Sequence, residues 1–417
     1  DTHAFLLHTR EVVYLHDGEV AVIQPDKLEV YDRSMAEVLK ESETVASQNE
    51  DVTKGTYEHY TLKEIFEQPQ TIRNALLARY LEDYGTVCLE ELGLDAHEFI
   101  RAERVLILAC GTSWHAGFVA AYMLEELARI PTQIEISSEF RYKNPIVQDN
   151  TLVVAISQSG ETADTIAAMR ELKAKGASVI AICNKQGSTL AREADGCIFL
   201  RAGAEIGVCS TKAFTSQLVV LSLFTLMLAR MRHMSREEGA ELLKALQGLP
   251  DQVQAVLNQT PYIQVLARKY ARFENFFYLG RRYMYPAALE GALKLKEISY
   301  INANGYPAGE MKHGPIALID AKCPTVAFCA DKLTYEKTLS NLMEVKARGG
   351  PILAIAEEGA EGITGIADDV IFVPRTVDAL SAIPSSVAAQ LFAYFVAKER
   401  GAEIDQPRNL AKSVTVE

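Results

Sequence analysis

A doubly wound α/β fold, present twice in one chain, is what this sequence predicts, and three observations lead there. Short, nearly all-apolar runs such as Val105-Leu-Ile-Leu-Ala109 and Val153-Val-Ala-Ile156 alternate with longer stretches of helical spacing. Strands apolar on both faces mark a parallel sheet covered by helices. The pattern then repeats: Gly176-Ala-Ser-Val-Ile-Ala-Ile182 matches Gly349-Gly-Pro-Ile-Leu-Ala-Ile355, and Ala194-Asp-Gly-Cys-Ile-Phe199 matches Ala367-Asp-Asp-Val-Ile-Phe372. Weaker echoes pair Val105–Gly111 with Phe276–Gly280, Ser137–Glu139 with Ala308–Glu310, and Val153–Ile156 with Val326–Phe328. The offset drifts only from 169 to 173 residues, as two copies with small loop changes require. Finally, 417 residues suit two to three domains at roughly 150 residues each.

Taken in order, Ala4–His8, Glu11–Leu15 and Glu19–Ile23 read as short strands with Asp17-Gly18 as a hairpin turn. Three strands bury too little surface to fold alone, so residues 1–31 are expected to be the end of a larger domain. Residues 32–55 are polar and read as a linker, and Tyr60–Leu92 as docking helices, which makes 32–94 a connecting region. The two copies are placed at 95–235 and 267–407, and 408–417 forms a terminal tail.

Composition narrows the function. Lys plus Arg is 42 and Asp plus Glu is 55, a net charge of −13, with no basic cluster to serve nucleic acid. The seven cysteines are odd in number and lack zinc spacing, so buried thiols in a reducing, cytoplasmic setting are expected, with no metal. The longest greasy run, Leu218–Ala229, is too short for a bilayer, and no signal peptide opens the chain. Neither a Walker lysine nor a Gly-x-Gly-x-x-Gly motif is present, which leaves nucleotide binding disfavoured and no cofactor implied. An anionic ligand would have to be held by amides, hydroxyls and a few placed lysines.

Ser157-Gln-Ser-Gly-Glu-Thr162 supplies that chemistry at a strand-to-helix turn. The glycine lets the backbone approach, and the helix start offers free N–H groups to a phosphate. An ordinary N-cap turn reads the same way locally. Thr112 and Ser113 after the first strand, and Ser210 after Val208, echo it at other strand ends and outline a hydroxyl-lined pocket for a phosphorylated polyol. In the second copy Glu290, Lys294 and Glu297 share one helical face, either a solvated stripe or a cleft acid/base group. The apolar rest of that helix favours the cleft, where a part-buried Glu beside a Lys suits general acid/base work. His313 lies in the turn-rich stretch Gly309–Pro315, and loops on α/β scaffolds often present catalytic groups. The tail Asp405–Glu417 is disordered by default, or its Lys412, between Ala411 and Ser413, is a Schiff-base nucleophile if the tail folds over the pocket. Val414 and Val416 would then be its apolar anchors, with Arg408 paired to an acid.

These motifs, with Cys209-Ser-Thr-Lys-Ala-Phe214, Ala288–Tyr300 and the tail Asp405–Glu417, resemble the bacterial glucosamine-6-phosphate synthase family over the whole chain, in the family's order. The resemblance implies tandem sugar isomerase (SIS) domains that convert fructose 6-phosphate to glucosamine 6-phosphate. It implies phosphate binding by Ser157, Gln158, Ser159 and Thr162, with Thr112, Ser113, Val208, Ser210 and Ala411 around the sugar. Lys412 would form a Schiff base with the C2 ketone, and Glu297 would move the proton between C1 and C2, supported by Lys294 and Glu290. His313 would open the sugar ring from a neighbouring subunit, so a homodimer is implied. Trp114 and His115 receive no role. The family begins with an N-terminal-nucleophile glutaminase domain, which supplies ammonia; this chain opens inside what resembles its last strands, so no glutamine hydrolysis of its own is expected.

Two rivals remain. A sugar-phosphate-binding regulator would keep the serine pocket but needs neither Glu297, His313 nor Lys412. A stand-alone ketose/aldose isomerase would use the same site without a nitrogen donor.

Overall fold

The computed structural model describes residues 9, 11–16, 18–44, 53–94 and 96–415. The expected strand at Ala4–His8, Asp17 of the expected turn and Val416 lie outside the described residues. The chain divides into two compact units, residues 1–53 and 54–417.

In the first unit, the described strands are β1 (Glu11–Val12), β2 (Val20–Gln24), β3 (Lys27–Tyr31) and β4 (Glu43–Thr44). β1 pairs with β4 and β2 with β3, all antiparallel. The hairpin therefore turns at Pro25-Asp26, not between the first two strands at Gly18. Proline presets φ at the first turn position, and aspartate is a common turn residue. The polar stretch after Asp32, expected as linker, contains β4.

The second unit starts with helices Tyr60–Phe66 and Gln68–Leu76 and a small hairpin of β5 (Tyr80–Leu81) and β6 (Thr86–Val87). Its first large sheet holds β7 (Arg104–Ala109), β8 (Thr132–Ile136), β9 (Thr151–Ser157), β10 (Ser178–Cys183) and β11 (Gly196–Phe199). The second holds β12 (Asn275–Gly280), β13 (Asn302–Pro307), β14 (Thr325–Phe328), β15 (Ile352–Glu357) and β16 (Asp369–Val373). All pairings are parallel, and both sheets run in the order second, first, third, fourth, fifth. The duplicated doubly wound fold is thus present, strand for strand.

The edge strands β8 and β13 were not legible. Asn302-Ala-Asn-Gly-Tyr-Pro307 has no apolar run, because an edge strand keeps one side free of neighbours. Two long helices form the centre. Lys212–Arg230, a full 19 residues around the greasy run, and Ala382–Glu399 lie almost wholly buried. By length and composition both regions could cross a membrane, the second (Asp378–Glu399) as well as the greasy run already noted. Here they are core: Ala382–Glu399 packs on Met284–Ser299, the helix that carries the charged stripe.

In this strand order the chain reverses direction between the first and third strands. Loops leaving their carboxyl ends diverge there and open a crevice, the usual ligand site of such sheets. In the first copy that crevice lies beyond β7 and β9.

Candidate active site

A cavity of about 290 Å³ occupies this crevice. Thr112 and Ser113 reach it from the first turn of helix Gly111–Met123 after β7, Ser157 from the end of β9, Gln158, Ser159 and Thr162 from the loop that follows, and Val208 and Ser210 from the approach to helix Lys212–Arg230. Glu297 enters from the second copy, and Leu410–Val414 of the tail complete the wall.

The loop after β9 is held by its own hydroxyls. Ser157 Oγ lies 2.8 Å from Thr162 Oγ1 and accepts the Gly160 amide at 3.1 Å, and Ser159 Oγ accepts the Glu161 amide at 3.2 Å. Gly160 has φ +67°, and a Cβ there would stand 2.1 Å from Ser188 Oγ, so the turn requires glycine. Helix Ala163–Ala174 begins directly after Thr162. The tail takes part in that helix start, since the Val414 carbonyl accepts the Ala163 amide at 3.2 Å.

Lys412 does not hang free. Its Nζ lies 2.5 Å from Glu205 Oε2 and donates to the Gly207 carbonyl at 2.8 Å. Glu205 has a fully buried side chain and also accepts the Thr211 and Ala213 amides and the Ser210 hydroxyl. Burial opposes its charge, but the Lys412 ammonium and the two amides outweigh burial and hold its carboxyl at about 2. The tail's other contacts differ from expectation. Val414 is 60% exposed, and it is its backbone, not its side chain, that anchors. Arg408 lies over the Tyr300 ring at 4.4 Å rather than on an acid, and its amide donates to the Tyr300 hydroxyl.

Glu290 and Lys294 of the charged stripe are buried and Glu297 half-buried, as the apolar rest of the helix led one to expect. Lys294 Nζ lies 3.2 Å from Glu290 Oε1 and 2.9 Å from Glu297 Oε2, and donates to Thr112 Oγ1 and the Ser210 carbonyl, each at 3.1 Å. Burial works against the Lys294 charge, yet its acidic neighbours more than offset it and raise its pKa. Glu290 is held below the usual carboxylate range, since Lys294 and His115 outweigh its burial. Only Glu297 of the three reaches the cavity; Glu290 and Lys294 lie behind it.

His115, given no role from sequence, approaches Glu290 Oε2 at 2.7 Å through Nδ1. Its signal was spacing: it lies one turn after Thr112, whose hydroxyl also donates to Glu290. Glu205 was missed too, and the one available cue was a single acid in a Gly/Ala-rich loop ahead of a helix start. His313 lies apart from the cavity of its own chain, exposed at the end of a short 3-10 helix, Ala308–His313, where a plain loop was expected.

The SIS domain family matches residues 98–227 and 269–399, one match per sheet. The glutamine–fructose-6-phosphate aminotransferase (isomerizing) of Chlorobaculum tepidum is 47% identical over all 417 residues, which span 68% of that relative. Its counterpart in Thermus thermophilus is 48% identical over 418 residues with the same coverage. This chain belongs to the glutamine–fructose-6-phosphate aminotransferase (isomerizing) family. Among solved structures, the C-terminal domain of the Francisella tularensis glucosamine-fructose-6-phosphate aminotransferase aligns over 100% of its own length and 85% of this chain, with 39% identity and a TM-score of 0.82. A glucosamine-6-phosphate deaminase of Thermotoga maritima, 23% identical with a TM-score of 0.65 over 85% of this chain and 99% of its own, shares the fold. In the aminotransferase family this chain supplies the isomerase half, with its two SIS domains.

Proposed function

We propose that the cavity binds fructose 6-phosphate and carries out the sugar chemistry that ends in glucosamine 6-phosphate. One observation supports this most: hydroxyl loop, Lys412 and Glu297 line the same space. Ser157, Gln158, Ser159 and Thr162 take the phosphate at the helix start, with no arginine needed. Thr112, Ser113, Val208, Ser210 and Ala411 surround the sugar. The Lys412 amine adds to the C2 carbonyl and water leaves, forming an imine. Ammonia then adds at C2 and expels Lys412, leaving a C2 imine of the sugar. Glu297 takes a proton from C1 as the imine nitrogen is protonated, giving an enaminol; a proton then returns to C2 and the C1 hydroxyl gives up its own, which leaves the C1 aldehyde and the C2 amine of the product. Lys294 and Glu290 hold Glu297 in place.

His313 belongs to this scheme as a group lent to a neighbouring subunit's cavity for ring opening, in a homodimer. Its exposure and its distance from its own cavity favour that arrangement. The ammonia comes from a glutaminase domain, and the cysteines, all free thiols, fit a cytoplasmic enzyme. The regulator reading is weaker, because Glu297 and Lys412 would have no work in it.

The test is covalent capture. Borohydride with fructose 6-phosphate should fix the sugar on Lys412, and Lys412→Arg should abolish capture while the protein stays folded. Capture on Lys294 would overturn the assignment.

A further inference from the structure

Glu64 has no part in the scheme above, yet its setting is unusual. It sits on helix Tyr60–Phe66, ahead of both SIS domains, and is 2% exposed. Its Oε1 accepts the Ile206 amide at 2.5 Å and the Gly207 amide at 3.1 Å. Its Oε2 is buried with no hydrogen-bond partner among the described residues. Buried polar atoms are nearly always paired, so an orphan oxygen persists only where its surroundings fix it. The approach is very close: a Cβ on Gly207 would stand 2.7 Å from Thr61 Oγ1 and 2.9 Å from Glu64 Oε2. A side chain at 207 would have to displace the Thr61 hydroxyl and the Glu64 carboxylate.

The other side of the same short segment carries Lys412, through the Glu205 carboxylate and the Gly207 carbonyl. Glu205–Gly207 is thus gripped from two sides, by Glu64 through its amides and by Lys412 through its acceptors. The helix is tied in turn to the root of the tail. The Asp405 carboxylate accepts the Tyr60 and Thr61 amides, each at 2.9 Å, and the Asp405 carbonyl accepts the Val208 amide at 3.0 Å. Helix, segment and tail root form a closed ring of hydrogen bonds around the seat of Lys412.

We propose that Glu64 is a positioning residue for Lys412: by holding the Ile206 and Gly207 amides it fixes the Gly207 carbonyl and the Glu205 carboxylate, and so sets where the lysine amine stands relative to C2 of the sugar. This rests on the reading of Lys412 as the Schiff-base lysine. Without Glu64 the 205–206 and 206–207 peptides lose the acceptor of their N–H groups, and their rotation shifts the flanking Glu205 and Gly207 relative to Nζ. Burial and the neighbouring Glu205 push the Glu64 carboxyl up to about 8, against Lys412 and the two amides. Protonated or not, the acid keeps an oxygen for those amides, so an amide side chain should replace it.

The experiment uses the full chain with fructose 6-phosphate and borohydride, and reads the maximal capture rate on Lys412 and the half-saturating sugar concentration. Glu64→Leu should lower the maximal rate about tenfold or more, because a misplacement near 1 Å costs on the order of 10²-fold. Half-saturation should stay within about twofold, since the phosphate grip lies elsewhere. Glu64→Gln should restore the rate to within about threefold of wild type, as its carbonyl oxygen still accepts. If Glu64→Leu does not fold, Glu64→Met, of similar length and equally without an acceptor, takes its place. Wild-type rates in the Leu or Met variant overturn the proposal, as does a Gln variant as slow as they are, or a loss confined to half-saturation. Failure of the wild type itself to capture sugar on Lys412 would instead remove the reading on which it rests.

Discussion

The two SIS domains share a strand order and part company where their first and third strands end. In the first, the loop after β9 offers Ser157, Ser159 and Thr162 to a cavity. In the second, the loop after β14 offers Asp331, and the protein fills its own site. Asp331 is 2% exposed. Its Oδ1 accepts the Thr334 amide at 2.9 Å and the Thr334 hydroxyl at 2.8 Å, and its Oδ2 accepts Arg282 Nη1 at 2.8 Å. Arg282 follows β12 as Ser113 follows β7. The switch point of a parallel sheet is an anion site by geometry, and here a ligand is expected to use one copy while a carboxylate uses the other. The second copy instead turns its charged helix toward the first copy's cavity. In the proposed scheme, grip and proton chemistry are divided between the copies.

That division can be broken by experiment, most severely at Glu297. Glu297→Gln should lower kcat by about 10³-fold with KM for fructose 6-phosphate little changed, the usual scale for a lost acid/base group. The double variant Ser159→Ala/Thr162→Ala should do the reverse, raising KM by about 10–100-fold, since each lost hydroxyl costs on the order of 1 kcal/mol or somewhat more. Equal effects on both constants from either variant would erase the division. Mixing inactive His313→Ala and Glu297→Gln chains under subunit exchange sharpens it. Random pairing in a two-fold dimer should restore about a quarter of wild-type sites. No recovery despite demonstrated exchange would place His313 outside the shared site.

Asp331→Ala should leave kcat/KM for fructose 6-phosphate unaltered and cost about 1–3 kcal/mol of stability in denaturant unfolding, because it leaves buried partners unsatisfied. A large rise in KM would mean that the second copy binds substrate after all. A further effect concerns pH. Glu64 is raised to about 8 from an ordinary carboxyl value near ~4.3, so the folded protein holds an extra proton between those values. Stability from this group therefore falls as pH rises through that window. Glu205, held at about 2, behaves oppositely: its contribution is present above ~4.3 and is lost as pH falls through 2. Urea unfolding at pH 5 and pH 8 should show Glu64→Gln gaining on wild type at the higher pH, and parallel curves would contradict this.

What could be read from the sequence was local. Ser157–Thr162 announced itself because strand, glycine turn and helix start are contiguous, and the Glu290/Lys294/Glu297 stripe because a helix fixes its spacing. Lys412 was legible as an alternative to disorder, and the family resemblance raised it to an assignment. Glu205 and Glu64 were not legible, because Glu205 meets Lys412 across 207 residues of chain and Glu64 meets the Ile206 and Gly207 amides across 142 and 143. Glu64 sits among the charges of what reads as an ordinary amphipathic helix, and nothing local says that its face is covered. β13 was missed for the complementary reason: it owes its place to pairing with β12, not to its own composition.

The bond between the Val414 carbonyl and the Ala163 amide joins the last stretch of chain to the helix that would receive the phosphate. The wall of the cavity and the amine proposed as its nucleophile are therefore one strip of polypeptide. For inhibitor design this offers a second route. A compound that wedges under residues 410–414 need not mimic a sugar, because shifting that strip opens the cavity to water and withdraws Lys412 in one displacement. Such a ligand competes with the protein's own backbone for one amide, and a well-placed carbonyl on its scaffold would take over that hydrogen bond.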